Sequence, residues 1–239
     1  MALARTASSS LLLLLVLSCW CGATTARPAP TSDAAGTGAG AGAGFVKSWC
    51  AGTEYPALCD ATLASYAAEV GTSAARLSWA ALTVTLDGAR DATAAMKGMA
   101  AAGHLAPVAA EAARDCVSML GDAVDMLRQS VETMARLGEE EEEKQQGQPG
   151  SSSRRNVRFQ VDSVQTWASA ALTDDDMCME GFKGEAAVVR EAVRGHVVGV
   201  AHLTADALAI VNAMGKSMGV DICRGSCKST PTPPPATAP

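Results

Sequence analysis

Apolar side chains recur every three or four positions along four long segments of the chain, with polar side chains between them. The segments run over about residues 73–101, 107–137, 160–172 and 185–216. This spacing places the apolar side chains of each segment on one face of an α-helix. No segment alternates apolar and polar residues between hairpin turns, as a half-buried strand would. The pattern therefore predicts an all-α protein, an up-down four-helix bundle.

A shorter stretch, residues 45–66, precedes the bundle. It predicts two brief helices that fold back on each other at Tyr55 and Pro56, with Cys50 and Cys59 on either side of the turn. The bundle is thus expected to carry an N-terminal helical hairpin, and the folded domain is expected to cover residues 45–218.

Three segments flank or interrupt the helices. Residues 27–44 are rich in Gly, Ala and Pro and predict a flexible lead-in, because they bury too little apolar area to offset the entropy of ordering. Residues 139–158 begin with five glutamates and contain several helix breakers, which predicts a disordered acidic loop rather than an acidic docking arm. Residues 219–239 form a tail with two cysteines and a Pro-rich end, a composition typical of hydroxyproline and O-linked glycosylation sites.

Residues 1–26 follow the three-part pattern of a secretory signal peptide. Arg5 precedes an apolar core over residues 11–17, and small residues follow up to Ala23 or Ala26. This core is too short to span a membrane, and no later segment reaches 18 uninterrupted apolar residues. The sequence therefore predicts a secreted, extracellular protein with no membrane span.

The composition of the chain disfavours one class of partner and indicates a core of small side chains. The chain has 19 Lys and Arg against 25 Asp and Glu, a formal net charge of −6. Nucleic-acid binding needs a basic face, so nucleic acid is not an expected partner. The 239 residues are 48% hydrophobic but only 4% aromatic, and alanine supplies much of the hydrophobic share. Small side chains let helices approach closely but bury less apolar area than Leu or Phe, so cross-links would add stability.

Removal of the predicted signal peptide leaves six of the eight cysteines. They are Cys50, Cys59, Cys116, Cys178, Cys223 and Cys227. An even number in a secreted protein predicts disulfide bonds, but six cysteines allow 15 pairings and their spacing selects none. A metal site is disfavoured, because the sequence has no CxxC pair and no histidine near the cysteines.

The sequence contains no motif of a catalytic site: no G-x-S-x-G, no H-E-x-x-H and no glycine-rich phosphate loop. His196 and His202 are six residues apart, on different sides of a helix, so they cannot share a ligand. The consecutive aspartates at 174–176 favour a helix-ending turn over a cation site, because hard cations need more widely spaced oxygens. We therefore expect a protein that is not an enzyme and needs no cofactor or metal.

Four motifs in the same order resemble the plant invertase and pectin methylesterase inhibitor family. They are Phe45–Cys50 with Tyr55–Cys59, Asp115-Cys116 with Asp122–Leu127, Val161–Thr173 with Cys178–Phe182, and Leu208–Asn212. The resemblance covers residues 45 to about 218. It implies a four-helix bundle with an N-terminal hairpin and the disulfide pairs Cys50–Cys59 and Cys116–Cys178. It leaves three states open for Cys223 and Cys227: a mutual bond, free thiols or an intermolecular bridge.

The resemblance also implies a partner. Inhibitors of this family bind pectin methylesterase or a cell-wall or vacuolar invertase, and invertase inhibitors typically carry a Pro-Lys-Phe tripeptide that this chain lacks. We therefore expect a one-to-one, non-covalent complex with pectin methylesterase in the apoplast or cell wall, which would regulate pectin de-esterification. Invertase inhibition is the alternative, and a further alternative is a wall-associated structural protein held by its Pro-rich tail.

In the family, the second and third bundle helices supply much of the face that occludes the pectin-binding cleft. The residues of this chain that match the family pattern there are Asp122 and Asp125, with Gln165 and Thr166 as weaker candidates. Periodicity alone favours a solvated acidic face for the two aspartates.

Overall fold

The computed structural model describes residues 37–147 and 154–219, which form seven α-helices and one short 3-10 helix and contain no strand. The helices are α1 Thr37–Cys50, α2 Pro56–Leu63, α3 Ala67–Val70, α4 Ala74–Ala101, α5 Pro107–Gln145, α6 Arg154–Glu180 and α7 Ala187–Ser217, with the 3-10 turn at Ala64–Tyr66. The predicted all-α fold class is confirmed. The predicted signal peptide (1–26) and the tail beyond Gly219, with Cys223 and Cys227, lie outside the described residues.

The four long helices α4 to α7 form the bundle. Helices α4 and α6 each pack against both α5 and α7. Two contacts show that α4 and α7 are antiparallel. The Thr85 hydroxyl donates to the Leu203 carbonyl at 3.2 Å, and the hydroxyl of Ser78, earlier in α4, donates to the sulfur of Met214, later in α7, at 3.6 Å. The predicted up-down four-helix bundle is therefore confirmed.

Alanine side chains line much of the contact between the long helices. The fully buried alanines include Ala80, Ala89, Ala113, Ala123, Ala168, Ala171 and Ala207. Leucines such as Leu77, Leu82, Leu120 and Leu127 fill the space between them. Because a methyl group occupies so little room, the helix backbones can come close enough for the hydroxyl of Thr85 to reach a carbonyl of the neighbouring helix.

Buried hydroxyl groups in this core are satisfied by backbone carbonyls. Thr85, Thr93 and Thr204 each donate to the carbonyl one turn earlier in their own helix, at 2.8, 2.7 and 2.9 Å. Thr85 shares its single proton between this carbonyl and that of Leu203. A buried hydroxyl without such a partner would cost roughly 1–3 kcal/mol. These threonines therefore fit the core without weakening it.

The glutamate run after residue 138 continues α5 instead of ending it. Helix α5 extends to Gln145 and α6 begins at Arg154. The predicted disordered loop over residues 139–158 is therefore wrong for the residues at both of its ends, and residues 148–153 lie outside the described part.

Contacts with the start of α4 explain why this acidic stretch stays helical. Ser73 caps α4 by accepting a hydrogen bond from the Arg76 amide at 3.2 Å, and its hydroxyl donates to the Glu141 carboxylate at 2.5 Å. Arg76 also forms an ion pair with Glu142. Carboxylates beside a helix N-terminus interact favourably with the helix dipole, so the repulsion among the glutamates is offset.

Helices α1 and α2 form the predicted hairpin, and a disulfide bond joins Cys50 to Cys59 with Cα atoms 5.5 Å apart. Helix α1 packs on α2 and α3, and α2 contacts α4 and α7 of the bundle. Since α1 begins at Thr37, the predicted flexible lead-in is wrong for residues 37–44, and residues 27–36 lie outside the described part.

Gly42 explains why the Gly-Ala repeat forms a helix here. A methyl group on Gly42 would lie 2.1 Å from the carbonyl oxygen of Ala67, whereas nothing lies within 4 Å of the same position on Gly40 or Gly44. The repeat therefore places one glycine where α1 packs against the backbone of α3. This close packing stabilises α1, an effect that the composition of the repeat does not indicate.

Helix α7 is the one helix of the described residues that is long and apolar enough to cross a membrane by length and composition. Half of its most apolar stretch is buried inside the protein, where α7 packs against α4 and α6. Its position in the bundle core accounts for its hydropathy.

We expect Gly42→Ala to lower the melting temperature, because the added methyl group must displace the Ala67 carbonyl. Overpacking of this kind costs roughly 1–3 kcal/mol. Gly40→Ala and Gly44→Ala are matched controls on the same helix and should stabilise it by about 0.5–1 kcal/mol each. Thermal unfolding followed by circular dichroism measures all three variants. A rise in melting temperature for Gly42→Ala equal to that of the controls would contradict the packing of α1 on Ala67.

Candidate functional site

The second disulfide bond aligns α5 with α6. Cys116, near the start of α5, is bonded to Cys178, near the end of α6, with Cα atoms 4.4 Å apart. The two helices therefore run antiparallel, and residues further along α5 face residues earlier in α6. Together with Cys50–Cys59, this is the pairing that the family resemblance implied.

The outer side of α5 carries an exposed stripe of mainly acidic residues. Its members are Asp115, Ser118, Asp122, Asp125 and Gln129. Arg128 bridges Asp125 and Glu132, with nitrogen–oxygen distances of 3.2 and 3.3 Å. Asp122 lies one turn before Asp125 and outside this bridge. The two predicted aspartates are thus both at the surface, and the charge of Asp125 is partly compensated.

From Thr166 to Met177, the neighbouring stripe on α6 consists of uncharged residues. It consists of the exposed residues Thr166, Ser169, Thr173 and Met177. The hydroxyls of Thr166 and Thr173 donate to carbonyls one turn earlier, at 3.0 and 3.1 Å. Because these donors are used within the helix, the two threonines present mainly methyl groups and oxygen lone pairs to a partner. We call the two stripes together the α5–α6 face.

Gln165 does not belong to this face. Its side chain is only 2% exposed, and its amide nitrogen donates to the Asn212 side-chain oxygen of α7 at 3.0 Å. The prediction that Gln165 contacts a partner is therefore wrong. The residue instead holds α6 against α7, behind the exposed side chain of Thr166.

A second carboxyl group lies beside Asp122. Asp174, on α6, is partly buried, and this burial raises the pKa of its carboxyl group; the negative charge of Asp122 raises it further. The α5–α6 face is therefore most acidic near the end that holds the Cys116–Cys178 bond.

Asp175 faces the opposite way, into the bundle. Helix α6 continues through residues 174–176 to Glu180, so the predicted helix-ending turn at these aspartates is wrong. The Asp175 carboxyl is completely buried and lies 2.9 Å from the Thr204 hydroxyl, which shares its single proton between this carboxyl and the Val200 carbonyl. Burial raises the pKa of Asp175 to about 7, the Thr204 bond lowers it, and the charges of Asp176 and Asp174 raise it. Nowhere in residues 37–147 and 154–219 do three or more His, Cys, Asp or Glu side chains form a group that could hold a metal ion.

The hairpin is attached to α7 by a contact that the sequence analysis missed. The nearly buried carboxylate of Asp206 accepts a hydrogen bond from the Tyr55 amide at 2.9 Å. One turn earlier on α7, the His202 ring stacks on the Tyr55 ring with centroids 3.8 Å apart. The sequence does contain a signal for this contact: Asp206 is a single aspartate between Leu203 and Ile210 on the apolar side of α7, where a buried carboxylate needs a hydrogen-bond donor.

Residues 44–210 match the sequence model of the family described as plant invertase/pectin methylesterase inhibitor. The chain is 34% identical over 170 residues to the "21 kDa protein" of Daucus carota, covering 70% of this chain and 82% of that protein. It is 33% identical over 175 residues to pectinesterase inhibitor 3 of Arabidopsis thaliana, covering 73% of this chain and 80% of that protein. Pectinesterase inhibitor 10 of the same plant is 33% identical over 168 residues, covering 70% of this chain and 50% of that protein; the chain thus spans half the length of this relative.

A crystal structure of a mutant form of a pectin methylesterase inhibitor from Arabidopsis has a similar backbone. The TM-score is 0.51 at 20% sequence identity, and the match covers 68% of this chain and 92% of that chain. This likeness shows that the two proteins share a fold.

We expect the melting temperature to fall as the pH rises from 5 to 8, and Asp175→Asn to remove much of this fall. The pKa of Asp175 is about 7 in the folded protein against an ordinary value of 3.8, so the folded state binds the proton more tightly than the unfolded state. The resulting stabilisation is complete below about pH 4 and is lost as the pH rises through about 7, a change of at most about 4 kcal/mol.

Thermal unfolding across this pH range tests the expectation. Asp162→Asn, at an exposed position of the same helix, is the matched control and should keep the parent profile. Burial also raises the pKa values of Asp206 and Asp174, so the difference between the Asp175→Asn and parent profiles is the measure of the Asp175 contribution. An Asp175→Asn profile parallel to that of the parent would contradict the assignment.

Proposed function

Because the chain belongs to the plant invertase/pectin methylesterase inhibitor family, we propose that it inhibits pectin methylesterase by binding the enzyme non-covalently. The observation that carries this proposal is the 33% identity to pectinesterase inhibitor 3 over 80% of that protein's length. The form of the α6 sequence supports an esterase over an invertase as the target, because the chain lacks a Pro-Lys-Phe tripeptide.

The proposed inhibitory surface is the α5–α6 face. Its two helices are aligned by the Cys116–Cys178 bond and held from behind by the Gln165–Asn212 hydrogen bond. A surface that is ordered before binding loses little conformational entropy in the complex. Laid across the pectin-binding cleft in a one-to-one complex, such a face would exclude the polymer by its bulk.

Within this face, Asp122, Asp125 and Thr166 are the proposed contact residues. Asp122 is expected to attract a cationic partner more strongly than Asp125, because Asp125 forms an ion pair with Arg128. The proposed action requires no catalytic group, cofactor or metal, since the inhibitor changes only the access of substrate to the enzyme.

The proposal places the protein outside the cell, in the apoplast or cell wall, where it would regulate pectin de-esterification. Two disulfide bonds support this location, since disulfides persist in oxidising compartments. The signal-like pattern of residues 1–26 supports it independently.

We expect the purified protein to inhibit a plant pectin methylesterase at near-stoichiometric amounts and to leave an acid invertase active. The protein is expressed with its own N-terminus in a eukaryotic secretory host, purified from the medium and assayed against both enzymes side by side. Reductant should weaken inhibition, because it removes the bond that aligns α5 with α6.

The other outcomes of this assay separate the alternatives. Inhibition of invertase alone would favour the second target of the family. A lack of inhibition of either enzyme would refute the proposal. Wall retention that is lost on deletion of residues 229–239 would then favour a structural role in the wall.

We expect Asp122→Lys to raise the inhibition constant about tenfold at low salt, mainly through slower association, because reversal of a rim charge changes electrostatic steering. The melting temperature should change little, since Asp122 is exposed. Glu191→Lys makes the same charge change at an exposed position of α7, diagonally across the bundle from α5, and should inhibit like the parent. Equal inhibition by the two variants would remove Asp122 from the contact surface.

A further inference from the structure

A groove lies at the end of the bundle where α5 begins and α6 ends. Its cavity volume is about 240 Å³, and the Cys116–Cys178 bond lies within its lining. The apolar side chains that line it are those of Val108, Ala112, Met119 and Met177. Gly181 also lines the groove, just beyond the end of α6, and lacks a side chain that would narrow it.

Two of the groove side chains are unusually accessible for their type. Val108 is 68% exposed and Met177 is 50% exposed. A single exposed apolar side chain is common on protein surfaces, but two that line one groove form a concave apolar site of the kind that anchors a partner's side chain. Methionine is also well suited to such a site, because its flexible thioether adapts to the shape of what it contacts.

Carboxylates lie beside the apolar lining. Glu111 and Asp115 are exposed, one turn apart on α5, and both line the groove. Lys183, in the turn that follows α6, is paired with Glu180. The groove therefore combines an apolar floor with a negative edge, which is complementary to a segment that carries an apolar side chain beside a cationic one.

The groove is continuous with the α5–α6 face. Asp115 is two turns before Asp122 on the same stripe of α5, and Met177 is one turn after Thr173 on the same stripe of α6. Both stripes thus run into the groove at the end where the disulfide bond ties the helices together. A partner that covers the face from Thr166 to Thr173 would reach the groove next.

We propose that this groove is the anchor site for a surface segment of the target esterase, one that inserts an apolar side chain between Val108 and Met177 and places a lysine or arginine against Glu111 and Asp115. The assignment rests on the proposed function and extends its contact surface beyond Asp122 to the end of the bundle. The apolar insertion would chiefly slow dissociation, and the acidic rim would chiefly speed association.

Binding kinetics of the purified full-length inhibitor with an immobilised plant pectin methylesterase test this assignment. Met177→Gln keeps the length of the side chain but makes it polar, and Val108→Asn makes the facing side chain polar. Each should raise the dissociation rate at least fivefold, with little dependence on salt. Asp115→Lys should lower the association rate at least fivefold at low salt, and the loss should shrink at high salt.

Matched controls lie on α7, across the bundle. Val188 is 77% exposed, so Val188→Asn repeats the Val108 change, and Glu191→Lys repeats the Asp115 change. Both controls should bind like the parent. Melting temperatures of all variants show whether each one folds, and every substituted side chain is exposed.

The outcomes distinguish this inference from the proposal on which it rests. If the parent binds the esterase and the groove variants bind as tightly as their controls, the groove assignment is wrong and the inhibitor function stands. If the parent binds no esterase, both fall. Faster dissociation of Met177→Gln and Val108→Asn together with slower association of Asp115→Lys would establish both halves of the site.

Discussion

Alanine at the contact positions of the four long helices is the constraint on which the rest of the structure depends. It lets the helices approach until a threonine hydroxyl reaches the backbone of its neighbour. The same small side chains bury little apolar area, so packing alone provides less stabilisation than a core of larger residues would. Covalent links and buried hydrogen bonds therefore carry more weight here. On the chain-entropy account, a bond such as Cys116–Cys178, which closes a loop of 62 residues, contributes about 4 kcal/mol.

Helix α7 organises the protein through the polar groups that it buries. Asn212 and Thr204 form hydrogen bonds with two residues of α6, Gln165 and Asp175 respectively. Asp206 accepts a hydrogen bond from the Tyr55 amide of the hairpin. All three contacts are made by α7, which is not part of the α5–α6 face. They position α6 and the hairpin from behind and leave the α5–α6 face and its groove available to a partner. The buried carboxyl of Asp175 also makes this arrangement sensitive to pH, because its proton is retained at acidic pH and lost as the pH approaches neutrality.

The fold was predictable because apolar side chains recur every three or four positions in four long segments. Each such segment forms an amphipathic helix, and four of them bury their apolar faces together as a bundle. The helix ends were less predictable. The acidic stretch of α5 looks like a loop until Ser73 and Arg76 are known to meet its glutamates, and the start of α1 looks like a linker until Gly42 is known to contact Ala67. In both cases the deciding contact joins residues that are far apart in the chain, which a local pattern cannot reveal. The same reason explains why Gln165, although correctly placed on α6, was assigned to the wrong side.

By itself, the sequence determined the helical class, the number of long helices, the polar stripe with Asp122 and Asp125, and the family resemblance that implied the disulfide pairs. Each of these depends on residue type and on spacing within one segment, which helix geometry converts directly into a face. Only the tertiary structure decided which polar residues point inward, that the glutamates belong to a helix, and that Val108 and Met177 line one groove. These depend on which helix lies beside which and in what register, and that is decided by packing between distant segments of the chain.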